Sequence, residues 1–374
     1  MVSNIPSHHK ALVLESIQAG FQVKTVPTPQ PDPGSAIVHI SATGILSYAR
    51  DIYKNEPPRN WYSYPTPLVG GLSAIARVAA VGPDATALQP GQLVFVDCVI
   101  RGRDDPSTLF VTAIHEGYTN GSRKLMRDVW RDGTFAEYAK VPLENCIPLD
   151  EARLCGELGY SPQDLMYLCS LLVPYGGLRD IRLEPGETVV VCPSTGNFGG
   201  AGVQVAVAMG ARVIAMGRNE KELARLKDHV LKGTPAATVE TVKITGDEST
   251  DTAALEAFGT IDAVLDLSPP EALKSKHLKC AITALRHSGR VSLMGSVEEV
   301  IPVMKVLSNN ITLKGKLMYE RDDMLQFVKM LERGLFPTGR NFVETKMFKL
   351  GDWEDAFDEA AAYTGIGRLV AFEI

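Results

Sequence analysis

Ser194, Gly196 and Gly199 stand in the order Ser-x-Gly-x-x-Gly between an apolar run, Thr188 to Cys192, and a stretch of small apolar residues; Thr195, Asn197 and Phe198 fill the gaps. Glycines at this spacing let a backbone approach an anion, and the unpaired first amides of a following helix, together with its dipole, hold the anion there. The β-branched run predicts a buried parallel strand and the residues after Gly199 predict a helix. A second strand, Arg212 to Met216, leads into Gly217, Arg218 and Asn219. That point lies roughly 20 residues past the glycines, where an NAD-binding unit carries an acid for the ribose 2′-hydroxyl. No acid stands there. Arg218, with Asn219 and Lys221 beside it, offers a fork of donors to a 2′-phosphate, so the expected cofactor is NADPH. Taken alone, the glycines also suit a tight turn in another α/β protein with Arg218 as a solvated charge; the strand, turn, helix, strand order argues for the nucleotide.

The surrounding elements fall into two textures. From Lys10 to about Val141, short strands such as ALVLES, AIVHISA and QLVFVD alternate with Pro- and Gly-containing turns, which predicts a β-rich, barrel-like domain. Arg101 to Asp132 is charged and without period, and reads as a surface excursion, either a lid or a subunit contact. From about Leu168, strands alternate with helices, which predicts a parallel sheet covered on both faces. Its further strands are Ile261–Leu267, Arg290–Met294 and Ile311–Met318. Ligands of such sheets sit beyond the carboxyl ends of the strands, which makes Ser268, Gly295 and Ser296 candidates to line the cofactor cleft; ordinary turn chemistry explains them equally well. A helix from Trp353 to about Tyr363, capped by Asp352, and a closing strand, Arg368 to Ile374, return to the first domain. The domains are therefore expected at 1–168, completed by 338–374, and at 169–337.

Bulk composition excludes several classes. With 38 basic and 44 acidic residues the net charge is −6, and no basic run is interleaved with aromatics, so nucleic acid is not an expected partner. The six cysteines, 98, 146, 155, 169, 192 and 280, form no CxxC pair and read as reduced thiols. The N-terminal MVSNIPSHHK lacks the apolar core of a signal peptide, and the apolar stretch Gly199 to Gly217 is broken by glycines and Arg212. The expected compartment is the cytosol, with no membrane partner.

GPDATALQPGQLVFV, GTFAEYAKVP, the 187–218 segment and FKLGDWEDAFDEAA followed by GRLV resemble the medium-chain dehydrogenase/reductase superfamily over nearly the whole chain. The resemblance implies an α/β protein, a GroES-like β-rich catalytic domain plus a Rossmann doubly wound parallel sheet, and a homo-oligomer, dimer or tetramer, with the last sheet strand at the interface. It points to the zinc-independent quinone and enone reductases, a branch similar to fungal secondary-metabolism reductases. Zinc-dependent members carry a cysteine near position 44 and a Gly-His-Glu triplet near 71; Leu46, Leu72 and Ser73 fall there, and leucine cannot ligate zinc. Cys169 matches a third ligand position, but one thiol makes no metal site, and it reads as a small buried hydrophobe. No metal is therefore expected. His8 and His9 are expected in a frayed terminus and His39 on an outer strand face, all solvated; His115 would enter the pocket only if the excursion is a lid.

Without a Lewis acid, hydrogen bonds must stabilise the developing charge, which favours an acceptor that delocalises it: hydride delivered to the β-carbon of an enone, enal or quinone leaves an enolate. Donors are expected in the loop holding Ser47, Tyr48, Arg50, Asp51 and Tyr53. Tyr48 is the first candidate, with Ser47 and Tyr53 beside it; packing of these rings under the loop is the alternative. Trp61, Tyr62 and Tyr64 form either an apolar slot or ordinary packing. A metal-free ketone reductase or alcohol dehydrogenase, an NADPH-binding protein without turnover, and a redox-neutral lyase or cyclase stay open on the same fold.

Overall fold

The computed structural model describes residues 5–105, 107–296, 298 and 301–374; the first four residues of the N-terminal segment lie outside it. The chain forms two compact units. One contains the residues up to Cys169 with Thr345–Tyr363 and Leu369–Ile374; the other is Ser170–Glu344 with Thr364–Arg368.

In the first unit the short apolar runs become β1 (His8–Ser16), β2 (Gly20–Pro27), β3 (Ser35–Ile45), β4 (Leu68–Val69), β5 (Ala74–Val81), β6 (Leu93–Val96), β7 (Val99–Arg101), β8 (Leu109–Val111), β9 (Tyr138–Pro142) and β10 (Cys146–Pro148), with α1 (Ala49–Tyr53) and α2 (Asn120–Asp128) between them. Alternation sends Ala36, Val38, Ile40, Ala76, Val78, Val94 and Val96 into one buried cluster. His39, one step out of phase, is exposed and lies against Tyr138 at 4.8 Å between ring centroids.

The segment from residue 162 onward holds α3 (Pro162–Leu165) and α4 (Leu168–Asp180). The second unit is built on β11 (Thr188–Cys192), α5 (Asn197–Ala208), β12 (Arg212–Gly217), α6 (Glu220–Gly233), β13 (Val239–Lys243), α7 (Glu248–Glu256), β14 (Ala263–Asp266), α8 (His277–Ala284), β15 (Arg290–Leu293), α9 (Val303–Ser308), β16 (Thr312–Gly315) and α10 (Arg321–Glu332). Six parallel strands lie in the order β13-β12-β11-β14-β15-β16, so the chain starts at the centre, runs to one edge and then crosses to the other. That is the doubly wound order, whose switch point falls between β11 and β14. β17 (Glu344–Phe348), α11 (Trp353–Ala362) and β18 (Arg368–Glu373) follow, and β18 pairs antiparallel with β3, giving the first unit's sheet the order β10-β6-β5-β3-β18-β17, with β9 also on β3. The second unit is thus a doubly wound Rossmann-type sheet and the first a β-rich unit, as the sequence implies.

Three local expectations are corrected. His8 and His9 are not frayed: they open β1, His9 pairs opposite Val26, is 5% exposed and shares a hydrogen bond of 3.2 Å with Thr28 Oγ1. The excursion has its own structure. A β7–β8 hairpin leads into α2, whose start is fixed by a capping box in which Thr119 Oγ1 accepts from the Ser122 amide and Ser122 Oγ from the Thr119 amide. Asp352 holds the N-cap position of α11 but its side chain makes no capping bond, because its backbone (φ −97°, ψ 28°) is not the extended conformation that aims a cap.

Candidate active site

In the second unit, β11 delivers the chain to a turn held from below. The Ser194 amide and Oγ both donate to the Met216 carbonyl, at 2.8 and 3.1 Å, tying the turn to β12. Ser194 is wholly buried and so braces the turn; Gly196, exposed, forms the N-cap of α5. At Gly199 a Cβ would overlap the Pro193 carbonyl oxygen, so glycine is required for α5 to start this close to the strand. Thr195, Asn197 and Phe198 are half-buried, and Asn197 Oδ1 accepts from the Gly365 amide at 2.6 Å. Gly217 is buried, and a Cβ there would reach within 2.7 Å of Thr195 Cγ2. Arg218 follows it, exposed at the carboxyl end of β12. Asn219 Oδ1 accepts from the Lys221 and Glu222 amides at 3.0 and 3.3 Å, so its oxygen caps α6.

Ser268, Gly295 and Ser296 come together past β14 and β15. The Ser296 amide donates to the Ser268 carbonyl at 2.8 Å, and a Cβ on Gly295 would overlap the Ser268 amide nitrogen. Ser268 is 3% exposed, and its hydroxyl lies 2.5 Å from Asp266 Oδ1 and 2.8 Å from His277 Nε2. Its side chain is thus committed inward. Cys192, Asp266 and His277 bring one ligand atom each to within 4.8 Å of one another, all buried. Spacing gave no sign of this cluster, since its members sit at the ends of β11 and β14 and the start of α8; a charged residue closing an apolar strand, as Asp266 does in AVLD, was the available signal.

In the first unit, Ser47 and Tyr48 are half-buried and Tyr48 is the N-cap residue of α1. The Arg59 guanidinium lies 4.4 Å from the Tyr48 ring centroid, a cation–π contact that sequence reasoning missed because Arg59 follows a Pro-Pro turn. Burial pushes the Tyr62 phenol well above its ordinary value, and its hydrogen bond to Tyr48 adds to the effect. Trp61 stacks on Tyr62 at 4.0 Å, and His115 lies 5.5 Å from Trp61, 5.9 Å from Tyr62 and 4.8 Å from Tyr118. His115 is therefore not solvated. It is 8% exposed and burial holds its pKa below the ordinary 6.5.

Tyr53 closes α1. It is 3% exposed, its hydroxyl accepts from the Gly71 amide at 3.2 Å, and its ring packs on Phe21, Tyr64 and Phe357. Tyr64 donates to the Ile52 carbonyl at 2.9 Å, and burial lifts its phenol to about 12. Both hydroxyls are thus engaged with backbone groups.

A doubly wound sheet with a glycine turn at its switch point, in a chain that also carries a GroES-like unit, is the architecture of the nicotinamide-nucleotide-dependent dehydrogenases. Residues 32–151 match the alcohol dehydrogenase GroES-like domain and residues 198–333 match the zinc-binding dehydrogenase family. Together these matches cover more than half of the chain, which belongs to the medium-chain dehydrogenase/reductase superfamily. The chain is 26% identical to an alcohol dehydrogenase of Rhizobium meliloti (strain 1021) over 87% of its own length and 88% of the relative's. It is 28% identical to an acryloyl-coenzyme A reductase of Metallosphaera sedula over 60% of its length and 64% of the relative's. An alcohol dehydrogenase from E. coli CFT073, solved with NADH, shares the fold with a TM-score of 0.76 at 19% identity, covering 99% of this chain and all of that one. No helix among the described residues is long and apolar enough to cross a membrane.

Zinc, which one family description names, can be tested against the donors present. Leu46, Leu72 and Ser73 occupy the positions that the resemblance assigns to ligands; Leu72 is 8% exposed, and the Ser73 carbonyl accepts from Thr43 Oγ1. Cys169 lies beside Gly44, where an added Cβ would come within 3.3 Å of its sulfur. Among the described residues, the His, Cys, Asp and Glu atoms that converge are those of Cys192, Asp266 and His277, in the other unit. Hydrocarbon side chains at two of three positions do not fit a zinc centre in the first unit.

Proposed function

We propose that the protein is an NADPH-dependent reductase of conjugated carbonyls, an enone, enal or quinone, that works without a metal at the reacting oxygen. The observation that carries this reading is the pair Leu46 and Leu72 in place of ligands, which leaves hydroxyls as the polarising groups. Bound NADPH supplies the hydride. The chain's own part is to hold the pyrophosphate at Gly196–Gly199, engage the 2′-phosphate with Arg218, and donate a hydrogen bond from Tyr48 to the enolate oxygen. Arg59 against the Tyr48 ring and the Tyr62 hydroxyl bonded to it fix that phenol in place. The acryloyl-coenzyme A reductase relative, named for reduction of a conjugated acyl group, agrees with this class.

A second reading, interconversion of a ketone and an alcohol, draws on the alcohol dehydrogenase relatives. Deuterated NADPH separates the two. Deuterium on the β-carbon of an enone supports the proposal, and deuterium on the carbonyl carbon replaces it with the second reading. Equal use of NADH and NADPH removes the cofactor assignment.

A further inference from the structure

The carboxyl ends of β11 and β14 carry a polar cluster that the proposed reaction does not use. Cys192, Asp266 and His277 are 0%, 0% and 1% exposed, and their side-chain ligand atoms lie within 4.8 Å of one another. Asp266 Oδ1 takes the Ser268 hydroxyl at 2.5 Å, but Oδ2 is buried with no hydrogen-bond partner. A bare carboxylate oxygen in a dry interior keeps its desolvation penalty uncompensated, so each such atom asks for a partner. The second ring nitrogen of His277, Nδ1, is held by Ser275 Oγ at 2.7 Å, which orients Nε2 toward Asp266 at 3.7 Å. Nε2 shares a hydrogen bond of 2.8 Å with Ser268 Oγ, which an ion would displace; a ring held at one nitrogen while the other faces the site is the arrangement that metal-binding histidines adopt.

We propose that Cys192, Asp266 and His277 form a buried site for one divalent ion of borderline softness, zinc or cobalt, within the second unit. Sulfur, imidazole and carboxylate together suit these ions, whereas magnesium and calcium take oxygen sets. Charge balances as well: a thiolate and a carboxylate neutralise the dication, so no net charge is left in the interior. A tetrahedral ion holds such donors roughly 3.3–3.6 Å apart, close to the His277–Asp266 separation of 3.7 Å, so binding requires the three ligand atoms, now within 4.8 Å of one another, to draw together. Ser268 Oγ, lying between Asp266 and His277, is placed to become the fourth ligand. On binding, Cys192 loses its thiol proton to solvent and no electron moves. The ion then links the strand before the glycine turn, the strand across the switch point and the start of α8, bracing the nucleotide unit.

The test uses the full-length chain, stripped by dialysis against a chelator and titrated with Co²⁺ over long incubations, because the site is closed. The expected result is uptake of roughly one equivalent, with a thiolate-to-cobalt charge-transfer band and tetrahedral visible bands, both displaced by Zn²⁺, and a rise in unfolding temperature. Cys192→Ser abolishes the charge-transfer band, Cys169→Ser keeps it, and His277→Gln, which can still bond Ser268 and Ser275, loses tight uptake. Cooperative unfolding of each variant checks its fold, and His277→Gln carries the test if Cys192→Ser does not fold. No uptake by the wild-type chain, or bands that survive Cys192→Ser or His277→Gln and vanish in Cys169→Ser, overturns the proposal.

Discussion

Arg218 and Tyr48 carry the functional reading residue by residue; NADH serves as the control for the first and Tyr53 for the second. Arg218 is exposed at the end of β12, and loss of a charge-assisted fork to a phosphate costs about 1.5–3 kcal/mol. Arg218→Ala is therefore expected to weaken NADPH binding by about 10- to 100-fold while leaving NADH binding within a factor of a few, as read by fluorescence titration; an unchanged NADPH affinity removes Arg218 from the site. Tyr48→Phe deletes one donor to a developing oxyanion and should lower kcat by roughly 10²-fold with KM little changed. Tyr53→Phe should do the opposite: it strips the acceptor from the buried Gly71 amide, costing about 1–3 kcal/mol of stability, with kcat per folded molecule kept. If Tyr53→Phe is the variant that loses turnover, the assignment of the two tyrosines is reversed.

The elements show what spacing reveals and what it conceals. The glycine turn was legible because strand, turn and helix are consecutive and their chemistry is local: β11 spans the same Thr188–Cys192 that the β-branched run marks. The cluster of Cys192, Asp266 and His277 was not, since parallel pairing of β11 with β14 joins residues more than 70 positions apart. The excursion was read as periodless because α2 is short and its start rests on Thr119 and Ser122, side chains as common in loops as in caps. What anchors it is Glu116, which is 3% exposed. Burial pushes this carboxyl up, but Arg127 and Ser63, both at 2.7 Å, outweigh it and hold the pKa below its ordinary value. Its contribution to stability is thus present above the unfolded carboxyl range and is lost as pH falls from there through its lowered folded value. Glu116→Gln should lower stability by about 1–2 kcal/mol, discounted because Arg127 is largely exposed, and should flatten that acid slope. His9, His115 and His229 run the same way in pH: burial lowers each below 6.5, so the unfolded chain binds more protons and stability falls as pH drops from about 6.5 toward the folded values. A denaturation midpoint that stays flat between pH 7 and 5 would contradict this.

At the scale of the molecule, the sheet of the second unit poses a question of closure. Its order ends at β16, which has β15 on one side and, among the described residues, no strand on the other. An open edge is a template for pairing, and folds that stay apart blunt it with charge. Here the charges are already engaged: Lys314 reaches Asp180 and Lys316 reaches Glu320, both at 2.8 Å, so neither is a bare cation that pairing would have to desolvate. Beside the edge, Val303, Met304 and Leu307 of α9 and Leu317 are 66%, 73%, 69% and 51% exposed. Grouped exposed apolar side chains next to an unpaired strand are what an interface would cover, and a twofold axis through β16 would continue the six strands into twelve while covering α9. The sequence could suggest this edge only through the resemblance, because no local pattern separates an edge strand from a central one when both are short. Wild-type protein is expected to sediment as a dimer at micromolar concentration. Met304→Glu with Leu307→Glu places two carboxylates on the covered face and should yield monomers that still bind NADPH, since neither residue lies near the glycine turn in sequence and both side chains point to solvent in the single chain. A wild-type monomer, or a dimer indifferent to both charges, would rule out this face.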